Sequence, residues 1–218
     1  KDQATGESFS GQLSAPAGSP FVTPVTTLIV SLGGNANSEE SVRNILGLDS
    51  NVDLRANPLK NPSLAKASAQ IQAIVSVIAN AISQQTGSTN NNQKNAIFAE
   101  TYKALAQNAS GQTSAFTDNT VLTKTINAVT TATTESTIND AANGLSNSIK
   151  ILLAKVDEQY NPIIANGANF TEDDLNSAQK NTTSKSNIDS ALYENNLIQN
   201  LSLNNELNVD NSDTPAAS

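Results

Sequence analysis

The chain has 218 residues, 37% of them hydrophobic, and a formal net charge of −8. It contains no Cys, Met, His or Trp, which removes disulfides, thiol nucleophiles, Ser–His–Asp triads and most zinc sites. Its acidity is concentrated from Asp157 onward, where ten acids face only Lys180 and Lys185, and this argues against nucleic acid and anionic membranes as partners.

With so few aromatics, a core has to be built from Ile, Leu, Val and Ala. No apolar run approaches the roughly 20 residues that span a bilayer, so no membrane insertion is expected. No signal peptide is legible, and an exported chain of this sequence takes its targeting signal from elsewhere.

Residues 1–20 read as an extended β arm. Ser8–Ser14 has β-compatible residues, and Ala15-Pro16-Ala17-Gly18-Ser19-Pro20 ends it. A lone strand is unstable in water, so its edge needs a partner in this chain or a neighbour. Phe9, Gln12 and Leu13 are the candidate subunit contacts.

Helical signals begin at Thr23-Pro24, with Thr as N-cap and Pro at the first helical position. A helix over 25–32 ends at Gly33-Gly34. Asn37 or Ser38 caps the next, which carries Val42, Ile45 and Leu46 and stops at Gly47. After a loop over 49–62, Ser63 caps the longest regular stretch. Its Leu64, Ala67, Ile71, Ile74, Val75, Ile78 and Ile82 recur at helical spacing.

Helices over 96–107 and from Asp118 or Asn119 through Val129 follow. Ile138, Ala141, Leu145, Ile149, Leu152, Val156 and Tyr160 mark another, broken by Pro162 and Gly167. Thr171 with Asp174 forms a capping box for a helix that is interrupted at 181–184 and resumes near 188–198. The fold class is therefore mainly α: an irregular multi-helix bundle over 21–200, a short N-terminal β arm, and a loose polar tail over 201–218.

Several short motifs along the first third form an ordered series. They are Thr5-Gly6, Gly11-Gln12-Leu13-Ser14-Ala15-Pro16-Ala17-Gly18, Thr23-Pro24-Val25-Thr26-Thr27-Leu28, Leu46-Gly47-Leu48, Val52-Asp53-Leu54 and Asn57-Pro58. Together they resemble a helical segment of large secreted bacterial adhesin-like surface proteins, where it follows a small β-sandwich module. The resemblance implies export and an adhesive, matrix or scaffold role. It brings no catalytic residue with it. In that family the stretch continues from a preceding β domain, so here a fragment or a free arm is expected. A free arm suits head-to-tail assembly with a second copy, or contact with neighbouring domains of a larger surface protein.

Catalytic signals are weak. Ser63-Leu64-Ala65-Lys66 matches the Ser-x-x-Lys pattern of penicillin-binding enzymes, but the Ser-Asp-Asn and Lys-Thr-Gly companions are missing. N-capping accounts for Ser63 more simply. A carboxylate pair for glycoside hydrolysis is compatible with the composition, yet the acids fall mostly in helix first turns and loops. The chain is read as a non-enzyme without an obligatory cofactor.

Asp49, Asn51 and Asp53 alternate like the opening of a calcium loop. Leu54 and Lys60 stand where Gly and Glu belong, which excludes an EF-hand. Two readings stay open, a loose calcium site or a loop of Asp-based turns, and the second is the plainer. The functional expectation is an extracellular structural or adhesive module, self-assembling through its arm. The alternative is a helical module that binds a carbohydrate or peptide.

Overall fold

A computed structural model describes residues 11–85, 90–133 and 142–194. In chain order the α-helices are α1 (Pro24–Ser31), α2 (Ala36–Leu46), α3 (Pro62–Gln85), α4 (Asn91–Ala109), α5 (Asn119–Ala132), α6 (Ala142–Ala165), α7 (Glu172–Thr183) and α8 (Lys185–Glu194). Single 3-10 turns at Pro58–Lys60, Ala115–Thr117 and Gly167–Asn169 link them. Among the described residues there is no strand.

Helix α3 is the axis of the bundle. Every residue from Ile71 to Ala79 is buried, as expected of a helix surrounded on all sides. It packs against α1, α4, α6, α7 and α8. The main core runs continuously from Val25, Leu28 and Ile29 through Ile71, Ile74 and Ile78 to Leu122, Ile126, Leu145 and Leu192. A smaller cluster joins Ala65, Ala69, Val156, Tyr160, Leu175 and Ala178 beneath Leu59, Ile163 and Phe170.

A Thr-rich chain can build such a core only if its buried hydroxyls find partners. The buried threonines of α4, α5 and α7 find them on their own helices. Thr101 donates to the Ile97 carbonyl at 2.7 Å, Thr125 to Val121 at 2.8 Å and Thr182 to Ala178 at 2.8 Å. Each is a bond back by one turn, which leaves the methyl group free to pack as a small apolar residue. The Tyr102 hydroxyl has no partner among the described residues, and burial pushes its ionisation upward, so it stays a neutral phenol.

Besides an α4 that begins at Asn91, capped by Asn90, instead of near residue 96, the helices depart from the sequence expectations in three places. For α2 the cap is Asn35, which accepts from the Ser38 amide at 3.0 Å, with Ser38 returning the bond. For α3 the cap is Asn61 rather than Ser63. The Leu64 amide donates to Asn61 Oδ1 at 3.1 Å, and Pro62 begins the helix. Pro satisfies the first-turn requirement because its missing N–H would have had no partner there.

The third departure is Pro162, which lies inside α6 instead of ending it. Glu158, whose carbonyl loses its amide partner, is exposed, so water can take the place of the missing bond. The helix then closes normally, with the Asn166 amide donating to the Pro162 carbonyl at 3.0 Å.

The expected β arm is corrected over its described part. Residues 11–20 form an irregular segment with one turn, closed by the Ser19 amide on the Pro16 carbonyl at 3.1 Å. The remainder of the arm, Phe9 included, lies outside the described residues, as does the polar tail.

Candidate functional site

Two places combine sequence signals with unusual geometry. The first is the junction where the N-terminal segment meets α1. Thr23 caps α1: its Oγ1 accepts the Thr26 amide at 3.1 Å, while Thr26 Oγ1 accepts the Thr23 amide at 2.8 Å. A hydroxyl thus fills the capping-box place usually taken by a carboxylate.

The same helix turn holds Ser14. The Ser14 amide donates to Thr27 Oγ1 at 2.9 Å. Its carbonyl accepts from Thr26 Oγ1 at 3.0 Å or from Thr27 Oγ1 at 3.1 Å. Two side-chain hydroxyls therefore do for Ser14 what a neighbouring strand does for a strand residue.

This is the physical reason a β-compatible stretch needs no sheet here. The rest of the segment is held as well. Leu13 packs against the main core, Pro16 is buried, and the Arg55 guanidinium reaches the Ala17 carbonyl at 3.4 Å while paired with Glu39. Gln12 is exposed. Of the three candidate subunit contacts, Leu13 is thus engaged with its own chain.

Asp49, Asn51 and Asp53 sit on the exposed loop that follows α2. The Val52 amide donates to the Asp49 carbonyl at 3.1 Å, and Asp53 Oδ1 accepts the Arg55 amide at 2.9 Å. The second contact is an Asx turn, the arrangement that Asp supplies in tight loops. Among the described residues no three His, Cys, Asp or Glu side chains gather as a metal-binding group.

The second place is a cleft of about 340 Å³ between the end of α2, the Ala115–Thr117 turn, the first half of α3 and the second half of α6. Ile45, Leu46, Leu48, Phe116 and Ile164 are among its apolar lining. Ser63, Lys66, Gln70 and Asp157 are among its polar lining. Lys66 Nζ lies 2.9 Å from Asp157 Oδ1 and donates to Asn161 Oδ1 at 2.9 Å. Gln70 Nε2 donates to the same Asp157 oxygen at 3.2 Å.

Two exposed residues of the cleft lining, Gly47 and Ser114, approach closely. Gly47 ends α2 at φ 63°, and a Cβ placed on it would lie 2.6 Å from Ser114 Oγ. Ser114 itself has φ 52°, and its amide donates to the Asn44 carbonyl at 3.2 Å. A non-glycine residue in this region is uncommon and is held only by its surroundings.

Ser63 and Lys66 thus both reach the cleft, but not as a catalytic pair. The Lys66 ammonium is engaged with Asp157 and Asn161, and the Ser63 hydroxyl makes no hydrogen bond to any described residue. The sequence motif picked out two of the cleft residues. It missed Gln70 and Asp157, which carry no local pattern and meet only through the packing of α3 on α6, and Ser114, which is brought in by its bond to the end of α2. The chain matches no protein-family model, no curated protein and no solved structure. No helix among the described residues is long and apolar enough to cross a membrane.

Proposed function

We propose that the chain is an extracellular structural or adhesive module: a helical bundle that holds its N-terminal segment in a fixed direction. The observation that supports this reading is the Ser14 junction, where both backbone groups of the incoming chain are bound by Thr26 and Thr27. Such a joint passes load or orientation from the preceding residues into the core instead of dissipating it in a flexible linker. It also gives the Thr23–Leu28 stretch, on which the resemblance to secreted surface proteins rests, a physical purpose.

In the self-assembling form of this reading, Phe9 and Gln12 contact a neighbouring subunit. Immunogold labelling of intact source cells with antibody to the bundle tests the placement. Label on the surface or in the matrix is expected, and label confined to the cytoplasm overturns the reading. For assembly, the chain lacking residues 1–12 is compared with the full chain by electron microscopy. Polymers of the full chain that persist after the deletion remove the arm from the contact.

A second reading, a ligand-binding module, is favoured by the cleft with its convergent polar groups. Catalysis is not part of either reading, because Lys66 of the Ser63–Lys66 pattern is committed to a carboxylate. Labelling of Ser63 by a reactive β-lactam, read by mass spectrometry, would contradict that.

A further inference from the structure

We infer that the cleft takes a small, neutral, polyhydroxylated molecule with the chemistry of a sugar ring; this rests on the ligand-binding reading above. Charge excludes the alternatives first. Among the described residues Lys66 and Asp157 are the only charged side chains lining the cleft, and they compensate each other. Helix α2 presents its C-terminal end here, at Gly47, and the partial negative charge of that end disfavours an anion. A cationic ligand would meet only the second oxygen of Asp157, on a carboxylate whose charge Lys66 already compensates.

The spare hydrogen-bonding capacity fits hydroxyls. After its contacts to Asp157 and Asn161, the Lys66 ammonium retains one proton to donate. Asp157 Oδ2 and the Gln70 side-chain carbonyl accept nothing from the described residues, and the Ser63 hydroxyl is also uncommitted, since only Asp157 Oδ1 and Gln70 Nε2 are engaged. Donors and acceptors are therefore mixed along one wall. Adjacent hydroxyls, each both donor and acceptor, match such a wall; a purely donating or purely accepting ligand does not.

The apolar part of the lining supplies the other half of the match. Leu46, Leu48 and Ile164 are half-buried there, with apolar surface for the C–H face of a ring. The volume, about 340 Å³, lies at the small end of the range for ligand sites, which suits a small molecule better than a peptide.

The test is an NMR titration of the full-length, isotope-labelled chain. The probes are glucose, galactose and N-acetylglucosamine, with inorganic phosphate and trialanine beside them. At least one sugar is expected to shift the amides of Ser63, Gln70 and Ser114. Gln70→Ala and Asp157→Asn are each expected to weaken its binding about tenfold, the loss of a hydrogen bond to a polar or charged group, with circular dichroism and the urea midpoint unchanged. Shifts from phosphate or trialanine alone overturn the neutral-polyol assignment and leave the ligand-binding reading standing. No shift with any probe overturns both. Sugar binding that neither variant weakens removes it from this cleft.

Discussion

The junction at α1 and the cleft at α3–α6 are both built from hydroxyls, amides and short polar side chains, yet they use them in opposite ways. At the junction the polar atoms are buried and satisfied: Thr26 is fully buried, Thr27 nearly so, and each serves Ser14 and Thr23. At the cleft the polar atoms are partly exposed and partly unspent. Satisfied buried groups fix one geometry, because every alternative leaves a donor or acceptor unpaired. Unspent groups at a solvent-reached wall cost little to keep and remain available for a partner. The same residue types therefore act as structure in one place and as binding surface in the other.

If that contrast is right, substitutions at the two places should differ in kind. The largest effect is expected from Thr26→Val, which keeps shape but leaves the buried Thr23 amide without its partner and the Ser14 carbonyl with Thr27 alone. A loss of about 2–3 kcal/mol is expected from urea unfolding. Cleavage between residues 11 and 22 by a broad-specificity protease should also appear.

Gly47→Ala comes next. It forces an alanine into the left-handed region and against Ser114 Oγ, for a cost of about 1–2 kcal/mol. Ser114→Gly in the same chain should recover part of it by removing the contact. A Gly47→Ala cost that Ser114→Gly leaves unchanged would show that the two residues are not coupled.

At the cleft wall, Lys66→Met should cost less than about 1 kcal/mol, because the pair it breaks is solvent-reached, with side-chain exposures of 22% and 41%. A larger loss would place Lys66 among the structural groups and blur the comparison.

The smallest effect concerns pH. The Thr171 amide and hydroxyl hold the Asp174 carboxyl below its ordinary range. A depressed folded-state value means that its contribution is present above the unfolded-state value and is lost as pH falls through the folded one. The protection factors of the amides at the start of α7, taken against the intrinsic exchange rate at each pH, should therefore fall below about pH 4. Asp174→Asn should remove that acid dependence.

The helices were legible because aliphatic spacing and caps are local signals. Ile71, Ile74 and Ile78 announce α3, and Thr171 with Asp174 announces α7. Where two neighbouring residues could cap, the local signal did not discriminate, and Asn61 and Asn35 took places assigned to Ser63 and to Asn37 or Ser38. Pro162 misled because its cost depends on whether the stranded carbonyl meets water, which is a tertiary fact. Ser14 was unreadable for a related reason: its partners are hydroxyls 12 and 13 residues away, and a β-compatible segment reads the same whether a strand or a threonine pair completes it. The cleft is less local still, joining residues near 47, 63–70, 114–117 and 157–164.

The central claim is that the N-terminal segment belongs to the bundle rather than trailing from it. Hydrogen exchange at the Ser14 amide tests it most directly, since that single proton is donated to Thr27. Protection comparable to the amides of α1, lost in Thr27→Val, is the expected result. Exchange at the rate of an open chain in the unaltered protein would contradict the account.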